Sequence, residues 1–144
     1  MNKVFKVVAV SALSISSANV FAVSDTFDAT LEVKQAITMI KTSDLDFGVI
    51  TSDNTTDVVI AQADAGAAAF TLSGESGDAV TVSISDTNLA NGANTIAAEF
   101  DFNNAITLTG GSADLKIGGT ARTSSATLVA GTYTANVAVD VTYE

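Results

Sequence analysis

Apolar and polar residues alternate along much of this chain, most cleanly in its last fourteen residues, Gly131 to Glu144. Tyr133, Ala135, Val137, Val139, Val141 and Tyr143 hold the odd positions, and the residues between them are polar except Ala138. A period of two predicts a strand with one buried face. A second run of this kind lies near the other end, where Phe27, Ala29, Leu31 and Val33 are separated by Asp28, Thr30 and Glu32. Shorter apolar runs predict further strands at 37–40, 45–50, 57–61, 67–72, 80–84 and 96–102, and around Leu115 and Ile117. Turn signals separate them at Ser52-Asp53-Asn54, Gly74 to Asp78, Asn91-Gly92, Gly110-Gly111 and Gly118-Gly119. The alanine-rich stretch 63–69 reads as a loop running into a strand. No segment sustains a helical period. Short strands with a turn about every eight to twelve residues predict an all-β sandwich.

Composition changes this picture at the N-terminus. Lys3 and Lys6 precede the short apolar run Val7 to Ile15, and Val20-Phe21-Ala22 places small residues at a cleavage position. Residues 1–22 therefore read as a secretory signal peptide, with an apolar run too short for a membrane span. Residues 23–34 follow as an N-terminal extension and 35–144 as a single sandwich domain. Without the leader, four basic residues (Lys34, Lys41, Lys116, Arg122) face all sixteen acids. That balance argues against nucleic acid and anionic membrane surfaces as partners. The acids are scattered over polar positions, as on a solubilising surface. An exported chain without cysteine has no disulfide to rely on. The absence of proline removes one common defence of sheet edges.

Candidate chemistry is sparse. The chain has no His and no Cys, so the usual general base, the strongest metal ligands and the thiol nucleophile are missing. Gly74-Glu75-Ser76-Gly77 is one residue short of a nucleophile elbow and reads as a hairpin turn. Asp44 and Asp46 share one face of a strand and read as solvated residues. Asp44-Leu45-Asp46-Phe47-Gly48 has the outline of a calcium loop but lacks the third oxygen ligand, and its glycine falls one place early. Asp53 and Asp57 could add oxygens from a nearby loop. No glycine cluster has the context of a phosphate site. The expectation is a non-enzyme with no cofactor, no metal and no small-molecule substrate.

The terminal strand raises the question of what covers its apolar face. It pairs with the first strand of its own chain, or it borders a groove filled from another molecule. Gly131, the alternating residues after it and Tyr143 as penultimate residue resemble the terminal signature of chaperone–usher pilus subunits. The run Thr26 to Val33, followed by Leu45-Asp46-Phe47-Gly48, is similar to the archaic, spore-coat-U-like branch. Gly118-Gly119-Thr120 ahead of the Gly-Thr-Tyr strand is similar to a family of small secreted pilin-like proteins known only as a domain of unknown function. The missing cysteines depart from the many pilins that carry a disulfide.

The resemblance implies an immunoglobulin-like sandwich that lacks its last strand. It implies a fimbrial subunit at the cell surface, involved in adhesion and polymerised head-to-tail with copies of itself. Its partners on that route are a periplasmic chaperone and an outer-membrane usher. Phe27, Ala29, Leu31 and Val33 would be the knobs of a donor strand. Tyr133, Ala135, Val137, Val139 and Val141 would line the acceptor groove, with Gly131 opening that strand. Tyr143 and Glu144 would anchor the chaperone. The alternative reading of the residues is a self-complete secreted sandwich that binds a glycan, calcium or a matrix component.

Overall fold

The computed structural model describes residues 23–144, so the expected signal peptide lies outside the described residues. The chain divides into two units, Met1–Glu32 and Val33–Glu144. In the first, residues 23–32 form no strand or helix and are exposed throughout. The alternating run around Phe27 is thus extended sequence without a ladder. A strand with no neighbour leaves its backbone groups to water and gains nothing from alternation.

The second unit is an all-β sandwich of antiparallel sheets. Its strands are β1 (Thr38–Ser43), β2 (Val58–Ile60), β3 (Ala68–Ser73), β4 (Ala79–Ile84), β5 (Thr87–Asn91), β6 (Asn94–Phe102), β7 (Ala105–Thr107), β8 (Ser112–Ala121) and β9 (Val139–Tyr143). One sheet has six strands in the order β1-β3-β8-β6-β5, with β2 also paired to β8. The other has three, in the order β7-β4-β9. β8 organises the larger sheet. β3 takes its residues 112–117, and β2 continues beside 119–121, while β6 lies along 117–121.

Alternation decides which residues meet between the sheets. Val80 and Val82 of β4 are buried, and Thr81 and Ser83, which alternate with them, are exposed. They pack with Leu72 of β3, Leu115 of β8 and Leu108. Leu72 and Leu108 are wholly buried. This core sits toward one end of the sandwich. Ile106, Val141 and Tyr143 complete it from the smaller sheet, and Ile37 from the residues just before β1.

Three sequence expectations need correction. The run 45–50 forms no strand. Leu45 and Phe47 instead lie over Gly119, where a side chain at that position would meet them. Gly118 and Gly119 make no turn; both are buried inside β8. A Cβ at Gly118 would collide with the Ile60 carbonyl and the Gln62 backbone, so this glycine marks close approach of another chain segment. The Asn91-Gly92 hairpin does form, but its central residues are Gly92 and Ala93, and Asn91 pairs with Asn94. Gly92 has a positive φ and Ala93 does not, which suits a turn with glycine in its first central position.

The core makes one strong prediction. Leu72→Ala leaves a cavity in the best-packed region and should cost about 2–5 kcal/mol. Ile40→Ala, on the outward face of β1 and 66% exposed, should stay within about 0.5 kcal/mol. Urea melts of both variants check this through their midpoints at unchanged slope.

Candidate functional site

The two sheets differ in width, and the mismatch leaves a groove of about 1090 Å³ between them. Its floor is the inner face of the six-stranded sheet, from Phe70 of β3, Ile96 and Phe100 of β6, and Ile117 of β8. Ile117 and Ile96 are each only 4% exposed, whereas Phe70 and Phe100 remain half-buried. One wall is Met39 and Lys41 of β1; the other is the chain from Leu128 to Val139.

The second wall contains the alternating terminal run. Tyr133, Ala135, Val137 and Val139 all line the groove, as does Gly131. Only part of the run is strand. β9 pairs with β4 from Val139 opposite Ile84 to Tyr143 opposite Val80. Further up, Ala90 and Thr134 form an isolated bridge, with N–H to O distances of 2.9 and 3.1 Å. Between those points the register slips by one residue, as the chain crosses from one sheet to the other. Ala135 to Ala138 belong to no ladder. Among the described residues β9 has one neighbour, β4, so its second edge is unpaired. An eleven-residue strand pattern is present in the sequence, and five of those residues are in the strand.

Local contacts fix the upper wall. Gly131 has φ +148°, and a Cβ there would run into the Asn91 side chain. Asn91 Nδ2 donates to the Ala130 carbonyl at 3.5 Å, and the Tyr133 hydroxyl accepts from the Val129 N–H at 3.1 Å. The opposite wall is protected differently. Lys41 lines the groove, and its Nζ is 2.6 Å from Asp44 Oδ1. The β1 register breaks between Lys41 and Ser43. A charge at a groove-lining position and an irregular register both discourage pairing along an edge. The terminal run carries no charge on its apolar face.

A polar cluster holds one end of the floor, where Ala121 and Thr123 line the groove. Arg122 Nε donates to Glu99 Oε1 at 3.0 Å, Nη2 to Glu99 Oε2 at 2.5 Å and Nη1 to Asp57 Oδ2 at 3.1 Å. Asp57 Oδ1 also accepts from the Ser124 N–H at 2.9 Å. Thr123 donates to the Thr56 carbonyl at 2.6 Å. Together these bonds tie the 54–57 loop to the end of β8. Hydrogen bonds from Ser124, then from Arg122, hold the Asp57 carboxyl below its ordinary range. Those from Arg122 do the same for Glu99. The Arg122 guanidinium is raised in turn, by Glu99 first and Asp57 second.

Other expected residues fall away from the groove. Val141 and Tyr143 pack on the core and do not line the groove. The Tyr143 hydroxyl bonds to the protein's own backbone at Glu75 and Gln35. Glu144 is exposed, and its N–H donates to the Ala79 carbonyl at 3.2 Å. Phe27, Ala29 and Leu31 are exposed in the first unit, and Val33 is exposed at the start of the second. Asp44 and Asp46, by contrast, do line the groove, on the loop 44–52; Asp44 is paired with Lys41, and Asp46 accepts from the Gly48 N–H. Sequence reading missed the floor. Phe70 and Phe100 stand in ordinary strand alternation, and nothing in that pattern says that the facing sheet stops short of them.

The exposed apolar surface has a pattern. Among the described residues, eleven large apolar side chains are exposed. Val23, Phe27, Leu31 and Val33 lie in the N-terminal segment; Met39, Val49, Ile50, Val129 and Val137 line the groove. Only Ile40 and Val59 belong to neither set.

The Arg122 cluster predicts an acid dependence. A carboxyl whose folded pKa is lowered stabilises the fold above its unfolded value, near 4 for these residues, and loses that effect as pH falls through the folded value. Arg122→Gln should therefore lower Tm at pH 7. The gap between the variant and the parent protein should close as pH drops below about 4. Thermal melts across that range check the sign.

A protein family described as a domain of unknown function, DUF4402, matches residues 37–143. No curated protein and no solved structure matches the chain.

Proposed function

We propose that this chain, which belongs to the DUF4402 family, is a structural subunit of a surface fimbria whose copies join by donating a strand to one another. The observation that carries this reading is the wall from Ala135 to Val139. It has one unpaired edge and an uncharged alternating face, and it borders an apolar floor that no strand of the sandwich covers. Such an edge accepts an extended segment through backbone hydrogen bonds and takes alternate side chains into the groove.

The complementary segment is in the same sequence. Phe27 to Val33 spans seven residues with four inward knobs, and the groove wall from Tyr133 to Val139 also spans seven. At about 3.3 Å per residue the two run to similar lengths. Burying Phe, Leu and Val knobs contributes about 1.5–3 kcal/mol each, so the occupant supplies about 5–10 kcal/mol before ordering costs. A small domain is stable by about 5–15 kcal/mol in total. The added strand therefore decides whether the subunit persists. A periplasmic chaperone lends the strand in transit, and at an outer-membrane usher the extension of the next copy replaces it. One donor fills one acceptor, head to tail, so the contact does not close and a fibre results. The resemblance of Gly131 to Tyr143 to pilin subunits supports the same assignment. The subunit works without catalysis, at the cell surface.

The test is a fusion. A second copy of Asp25–Lys34, attached through a flexible linker after Glu144, should convert an aggregating or polymerising protein into a stable monomer. Its unfolding free energy should rise by about 5 kcal/mol or more. Replacing both Phe27 and Leu31 by Asp in the fused copy should abolish the gain. A parent protein that melts cooperatively as a stable monomer, with a midpoint indifferent to the fusion, would mean that the sandwich is complete and strand donation is not its function.

A further inference from the structure

Tyr143 does not line the groove, and its contacts join three parts of the second unit. Its hydroxyl accepts the Glu75 N–H at 2.7 Å and donates to the Gln35 carbonyl at 2.6 Å. The Gln35 N–H donates to Glu75 Oε2 at 3.1 Å. Lys34 Nζ lies 2.6 Å from Asp78 Oδ2 and 5.5 Å from the centre of the Tyr143 ring. Gly74 makes the seat, since a side chain there would overlap the Tyr143 hydroxyl and Leu108. One phenol thus binds the end of β9 to the turn between β3 and β4. It also binds β9 to residues 34–35, the root of the N-terminal segment.

β9 is short and is paired on one side only. A strand of that kind opens locally at lower cost than the core. When its end opens, Tyr143 leaves with it, and the Gln35 carbonyl loses its donor. A strand added along the groove wall reaches β9 at Val139 and opposes that opening, because it binds there only when β9 is in place. By linkage, an occupant lowers the open population by a factor of up to 1 + [L]/Kd, about 100-fold at 100 times Kd.

We propose that Tyr143 is a positioning residue that couples the groove to the root of the N-terminal segment. Occupancy of the groove, which meets β9 at Val139, holds the phenol seated, and the seated phenol holds residues 34–35. This rests on the reading of the groove as a strand acceptor and adds an order to it. A copy whose groove is filled presents its own segment from a fixed root, and a copy with an empty groove presents it from a loose one.

Trypsin reads the coupling directly. The Lys34–Gln35 bond lies at the root, and both backbone groups of Gln35 are engaged there. Lys116, in the middle of β8, reports global opening. The full protein is digested with increasing synthetic peptide Asp25–Lys34, which has no internal trypsin site. Mass spectrometry follows cleavage after Lys34 and after Lys116, and titration calorimetry gives the peptide Kd.

The expected result is cleavage after Lys34 slowed tenfold or more at about 100 times Kd, below the linkage ceiling, and slowed more than cleavage after Lys116. Tyr143→Phe, read at a peptide concentration set by its own Kd, should lose that selective slowing. Glu75→Ala removes a Gln35 partner without touching the groove. It should bind peptide as the parent does and lose part of the slowing, which provides a second reading should the phenylalanine variant not fold. Peptide that binds without slowing cleavage after Lys34 overturns the coupling and leaves the acceptor reading intact. Equal slowing at both lysines, or full slowing in Tyr143→Phe, also overturns it. Peptide that does not bind at all defeats the acceptor reading, and the coupling with it.

Discussion

A three-stranded sheet set against a six-stranded one cannot cover it. That mismatch in width governs this molecule. Where the sheets overlap, Leu72, Leu115, Val80 and Val82 interlock into a dry core. Where the smaller sheet stops, Phe70 and Phe100 are left half-covered, and the chain from Leu128 to Val139 stands as a wall beside them. Apolar surface removed from water drives folding at about 25 cal/mol per Å², and here the chain forgoes part of that gain. The forgone part is what an occupant of the groove would supply under the proposed reading.

The groove has two sides, and they are not equivalent. β1 shows it a lysine already bound to Asp44 and a broken register. The terminal run shows it uncharged side chains in strict alternation and, from Ala135 to Ala138, backbone groups outside any ladder. The Arg122 cluster and the Asn91–Gly131 contact fix the ends of this arrangement, so the opening is a shaped feature of the fold.

Much of this was legible in the sequence, and the exceptions have physical causes. Alternation located β4, β6 and the terminal run, because a period of two survives whether or not a strand has found its partner. For the same reason it could not tell Val139 to Tyr143, which are paired, from Ala135 to Ala138, which are not. Gly118-Gly119 reads as a turn in one dimension. Only the backbone of residues 60–62 packed against it explains why glycine is needed inside a strand. Leu45 and Phe47 were apolar in the right phase for a strand, yet they plug a hollow from a loop. Strand number per sheet is a property of the whole topology and leaves no trace in any one segment, so the groove floor could not be read from residue pattern.

The unequal flanks of the groove carry one more consequence. Cross-β aggregates grow because every added strand offers the next a fresh, flat template. Here the charge of Lys41 guards one edge, and under the proposed reading a single guest strand would saturate the other. Under the proposed strand donation, growth would advance one folded body at a time, as a string of beads, where unguarded edges would spread into amyloid.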